Sequence, residues 1–111
     1  MAARTGEFLM DLDAGMLAYF REMAHEMVTR FGIPRAEAVA RINRAYTQRH
    51  ITPYPDPMCR ELPEYWGYGL YFRPNGGRLP DDDPDRDLSV WEVRPPPPRD
   101  SAHWTVRPAG D

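Results

Sequence analysis

The side chains with chemistry to offer fall into three groups. Asp81, Asp83, Asp85, Asp87, Ser89 and Glu92 place oxygen atoms at alternate positions and close on a carboxylate. A curling loop turns such oxygens inward, which is what a hard cation such as calcium needs. Glu22 and His25 stand three apart, the spacing that sets two metal ligands on one helix face. A two-metal carboxylate site needs a second such pair and two further carboxylates, and the chain has no second copy. Cys59, His50 and His103 have the residue types of a nucleophile with bases, but no Gly-rich elbow accompanies them. The expectation is a non-catalytic chain with no cofactor.

Two helices must position whatever the first half of the chain does. Asp13 is a good N-cap, because its carboxylate can accept from the free amides of a first turn. Met16, Leu17, Phe20, Met23, Ala24, Met27, Val28 and Phe31 then recur at helical spacing as one broad apolar stripe. Gly32 suits the left-handed position after a helix, and Ile33 the hydrophobic contact that goes with it. Pro34 fits the start of a second helix with Ala38, Val39, Ile42, Ala45 and Tyr46 as its buried stripe. Glu37 and Arg41 stand four apart in the favourable order. The short break between the two makes them an αα-hairpin.

Composition changes at Thr52, beyond which lie twelve of the 13 prolines. The segment from Glu64 to Phe72 holds five aromatic rings in nine residues, and the rest of the chain is expected to close over it. Gly67 and Gly69, with Tyr68, Leu70 and Phe72 alternating, favour a strand; a short helix through Tyr71 is the competing reading. Residues 79–87 form an acidic loop. Leu88 to Arg94 and residues 103–107 read as strands, with a polyproline II run from Pro95 to Pro98 between them. Arg94 to Arg99 has the form of a basic polyproline ligand, although a stiff spacer is the commoner use of such a run.

The chain has 111 residues, one Cys and a net charge of −3, with every one of its 14 basic residues an Arg. This size holds one core and no more. The acidic balance argues against a surface wholly given to nucleic acid. A single Cys excludes an intrachain disulfide, and no long apolar run is present, so a cytoplasmic protein is expected.

Two local patterns resemble known motifs. The acidic run resembles an EF-hand calcium loop, but Arg86 stands where that loop needs glycine, and Pro74, Gly76 and Gly77 before it and four prolines after it deny it flanking helices. Phe31 to Val39 resembles the turn of helix-turn-helix repressors, and Arg35 within it, with Arg41 and Arg44 beyond it, would meet phosphates. Val39 and Ile42 fall one position late for that family. Gly32-Ile33-x-Arg35-x-Glu37-Ala38, Ile42-Asn43-Arg44, Tyr65-Trp66 and Tyr71-Phe72 together are similar to a set of small bacterial proteins with no activity attached. That likeness spans residues 28–72 and carries no functional residue over.

The expected architecture is a single α+β domain, a two-helix hairpin on a small antiparallel sheet. The expected function is a protein-interaction module, of the kind seen in immunity-type inhibitors. Tyr65, Trp66, Tyr68, Tyr71 and Trp91 would supply its aromatic contacts. Asp81, Asp82 and Asp83 would steer a basic partner. The alternatives are DNA binding through Arg35, Arg41 and Arg44, or calcium binding through Asp81, Asp83, Asp85, Asp87 and Glu92. A homodimer is also open, because Met16, Met23 and Met27 widen the first helix's stripe beyond what one partner needs.

Overall fold

In the computed structural model, which describes residues 6–80 and 87–107, Asp13 opens the first helix as its chemistry suggests. Its Oδ1 accepts from the Met16 amide at 2.9 Å, and α1 runs Ala14–Phe31. Gly32 closes it in the left-handed region at φ 71°, its N–H bonded to the Val28 carbonyl. After Ile33 and Pro34 the chain enters α2, Arg35–Tyr46. A 3-10 turn over Pro57–Arg60 leads into α3, Pro63–Tyr71. Leu88–Val90 form a further 3-10 turn.

The architecture is therefore mainly helical, and the antiparallel sheet expected from the sequence is not formed among the described residues. The aromatic segment is a helix. Gly67 is placed there by packing: a Cβ at this position would come within 2.9 Å of Met27 Cγ on α1, so the two helices approach more closely than an alanine permits. The residues expected as a strand at 88–94 begin instead with the 3-10 turn. Only Val93 bridges to Phe72, flanked by bonds from the Arg73 amide to the Glu92 carbonyl and from the Arg94 amide to the Tyr71 carbonyl. Proline at 95–98 offers no N–H to extend that bridge into a ladder. Residues 103–107 also form no strand. They lie against α2, where Trp104 folds back to donate its indole N–H to the Pro97 carbonyl at 2.9 Å.

Helix α1 packs against both other helices. Met16, Phe20, Met23, Ala24 and Met27 are fully buried in one cluster with Val39, Ile42 and Tyr46 of α2. Phe8, Met10 and Leu12, ahead of the first helix, belong to the same cluster. Met16, Met23 and Met27, whose breadth of stripe suggested a homodimer, are buried in this cluster, with the Met16 sulfur 3.6 Å from that of Cys59 and Met27 against Gly67. Helix α2 is buried on nearly every side, including Ala36, Ala40, Arg41 and Asn43, because α1, α3 and both terminal segments all cover it. No helix of the described residues is long and apolar enough to cross a membrane.

Two of the tyrosines in this interior make its stability depend on alkali. Burial pushes the Tyr46 hydroxyl up to about 12 against an ordinary value of 10.0, with Arg49 acting weakly the other way. Tyr19 is shifted in the same direction, again mainly by burial. Between the ordinary and folded values the unfolded chain has released a proton that the native chain still holds, so stability falls as pH rises. The Tyr46 contribution amounts to about 3 kcal/mol once its folded value is passed. A series of denaturant melts from neutral to strongly alkaline pH should show that decline, and Tyr46→Phe should make it shallower while leaving neutral stability nearly unchanged. An alkaline slope identical in the two proteins would refute this assignment.

Candidate functional site

Two concave surfaces among the described residues carry side chains that can recognise a ligand. The first is a groove beside α3, about 380 Å³, lined by Arg49, Asp56, Pro57, Met58, Arg60, Glu61, Tyr65 and Trp66. A smaller hollow of about 100 Å³ adjoins it through Arg49, Asp56, Met58 and Trp66 and reaches Tyr46, His50 and Ile51.

The floor of the groove is built by hydrogen bonds that start in the sequence at Asp56. Its carboxylate accepts from the Met58 amide and from both the amide and the hydroxyl of Thr52. Burial works against the charge, yet these three donors hold Asp56 below the usual carboxylate range. The 3-10 turn so fixed presents the Met58 carbonyl, which receives the Trp66 indole N–H at 2.9 Å. Tyr19 of α1 donates its hydroxyl to the neighbouring Glu61 carbonyl at 2.7 Å. Trp66 is consequently locked in one orientation, and Tyr65 stands edge-on to it with ring centroids 5.0 Å apart. Tyr65 is 36% exposed, and Leu62, immediately ahead of α3, is 69% exposed.

The second surface is a cleft of about 370 Å³ where α2 meets the end of α3. Arg41, Arg44, Arg73 and Arg94 line it, with Ala45, Gly69, Leu70 and Pro95. Arg41 is only 2% exposed. Its Nε donates to Glu37 at 2.8 Å, its Nη1 donates to the Leu70 carbonyl at 3.3 Å, and its guanidinium lies 4.7 Å from the centre of the Tyr71 ring. Arg94 shares its Nε–H between the Gly69 and Phe72 carbonyls. Cations at these places neutralise the carbonyl end of α3, where the helix dipole is negative. Arg44 reaches the Pro95 carbonyl at 2.9 Å. Partial loss of hydration, together with repulsion from Arg41 and Arg94, lowers its pKa.

The residues singled out by the sequence are dispersed between these places. Tyr65 and Trp66 lie together in the groove. Tyr68 is buried in the core, and Tyr71 is half-buried, packed against the core and stacked on Phe31 at 4.6 Å. Trp91 is half-buried after the Leu88–Val90 turn. Asp81, Asp82, Asp83 and Asp85 lie outside the described residues. Asp87 accepts from the Ser89 amide and hydroxyl, and Glu92 is exposed beside Arg73. Among the described residues no three His, Cys, Asp or Glu side chains gather as a metal site would require.

The three arginines of the DNA reading do not share a face. Arg35 is exposed but paired with Glu7, Arg41 is buried, and Arg44 is exposed. The groups with catalytic chemistry are likewise separate. Cys59 lies 3.6 Å from the Met16 sulfur with its thiol pushed up by burial. His103 approaches Ser101, and Glu22 and His25 are exposed on α1. Arg73 and Arg94 were not legible as site residues, since nothing local in the sequence ties them to Arg41 and Arg44. No protein-family model, curated protein or solved structure matches the chain.

Proposed function

We propose that the protein is a non-catalytic interaction module that binds a partner protein through the Tyr65–Trp66 groove. The observation that carries this reading is the fixed aromatic edge at the surface. Trp66 is held by its bond to the Met58 carbonyl, and Tyr65 is braced against it. Rigid Tyr and Trp side chains lose little conformational freedom on binding, and with Arg they dominate the energetics of protein interfaces. Arg49, Arg60, Asp56 and Glu61 supply a rim of both charge signs, suited to orienting a partner. The net charge of −3 favours a basic partner, and an inhibitor of a basic enzyme, as immunity proteins are, is the specific form of this reading.

Site-specific photo-crosslinking in the source cells tests it. A photoreactive phenylalanine at position 65 is expected to capture one discrete protein, while the same group at His25, on the exposed side of α1, captures none. Equal capture at both positions, or no capture at position 65, would count against the groove. Tyr65→Ala should then weaken the purified partner by about tenfold or more with no change in melting temperature.

A further inference from the structure

We propose that the arginine cleft between α2 and the end of α3 binds a phosphoryl group, a dianionic oxyanion, carried by a small organic molecule. Four guanidinium groups line the cleft. Among the described residues only two carboxylates pair with them, Glu37 with Arg41 and Glu92 with Arg73. Among those residues the cleft therefore carries a surplus of two positive charges, and the hydrogen bonds of Arg44 and Arg94 there go to backbone carbonyls.

A structural role accounts for half of this set. Arg41 and Arg94 satisfy the carbonyls of Gly69, Leu70 and Phe72 at the end of α3. Arg44 and Arg73 bond to none of these carbonyls. Arg44 is also close enough to Arg41 and Arg94 for their repulsion to weaken its hold on its own proton. Like charges brought together with part of their hydration removed are costly, and an oxyanion seated among them reverses the sign of that interaction. Guanidinium forks match phosphoryl oxygens two at a time, and charge-assisted bonds of that kind are the strong ones.

The cleft volume lies in the range of small-ligand sites. Its remaining walls, Ala45, Leu70 and Pro95, offer apolar contact to whatever carries the phosphate. It shares no lining residue with the Tyr65–Trp66 groove, so the two proposals stand or fall separately.

The test is calorimetric titration of the full chain with inorganic phosphate, with phenyl phosphate and with a short single-stranded oligonucleotide, at low salt. Both small phosphates should bind. If the apolar walls take part, phenyl phosphate is the tighter by about tenfold. Binding of inorganic phosphate alone would overturn the organic ligand, and heat from neither would overturn the site. An oligonucleotide that binds more tightly than both would overturn the small-molecule assignment in favour of nucleic acid. Arg44→Gln and Arg73→Gln, which remove no contact to α3, should each cost about tenfold in affinity at unchanged melting temperature. Unaltered affinity in both variants would refute the cleft as the binding place.

Discussion

Replacing Asn43 with Ala is expected to destabilise the protein by about 3 kcal/mol, a large fraction of the total stability of a domain this size. Asn43 is fully buried on α2 and spends its side chain on both terminal segments at once. Its Oδ1 accepts from the Leu9 amide at 2.9 Å. Its Nδ2 donates to the Glu7 and His103 carbonyls, each at 3.0 Å. Glu7 keeps a second donor, the Thr105 hydroxyl, but the Leu9 amide and the His103 carbonyl would lose the one partner that each has among the described residues. A buried polar group left without a partner costs about 1–3 kcal/mol, and two of them give the stated sum. The melting temperature should fall by roughly 15 °C.

Asn43→Asp should be at least as damaging at neutral pH. It keeps the acceptor for Leu9 but turns a carboxylate toward two carbonyl oxygens. Hydrogen exchange gives the local signature: the Leu9 amide should lose protection in both variants before the amides of α1 do. A melting point within a few degrees of wild type in Asn43→Ala would show that the terminal segments are not held in this way.

Arg41→Ala is the second large effect, again about 3 kcal/mol. Breaking a buried ion pair from one side is costly because the other members are left behind. Here the Leu70 carbonyl loses its donor and the Tyr71 ring its cation, and a void opens beneath the arginine cleft. Glu37 is partly exposed and can turn to water, which keeps the cost at the lower end. Arg41→Lys restores the charge but not the fork, since one ammonium cannot span Glu37 and Leu70 as the guanidinium does. It should recover only about half of the loss. Full recovery by lysine would mean that charge alone, and not the planar geometry, matters at this place.

These two residues also mark where the sequence stopped being readable. The outline of the first two helices followed from local chemistry: the Asp13 cap, the Gly32 stop, and apolar residues at helical spacing. From the sequence, Arg41 reads as a favourable i,i+4 partner of Glu37 and as a candidate phosphate contact, and Asn43 is given no structural role. The expected buried stripe of Ala38, Val39, Ile42, Ala45 and Tyr46 gave α2 one buried side. Its other sides are covered by α3, by residues 6–12 and by residues 103–107, contacts between distant parts of the chain that leave no period in the sequence. Gly67 and Gly69 misled for a related reason. Glycine lowers helix propensity, so two of them within alternating apolar residues argued for a strand, whereas at Gly67 the missing side chain is what lets α3 approach Met27. Of the candidate binding residues, Tyr65 and Trp66 were recognisable by type. The arginine cleft was not, because its members come from positions 41, 44, 73 and 94 and meet only after the chain has turned back on α3.

Affinity of the crosslinked partner for three purified proteins, wild type, Tyr65→Ala and Arg44→Gln, bears most directly on the assignment of the groove as the recognition face. Tyr65→Ala should lose about tenfold or more of the binding, and Arg44→Gln should bind as wild type does. The reverse pattern, with the partner indifferent to Tyr65 and dependent on Arg44, would contradict it and move recognition to the arginine cleft.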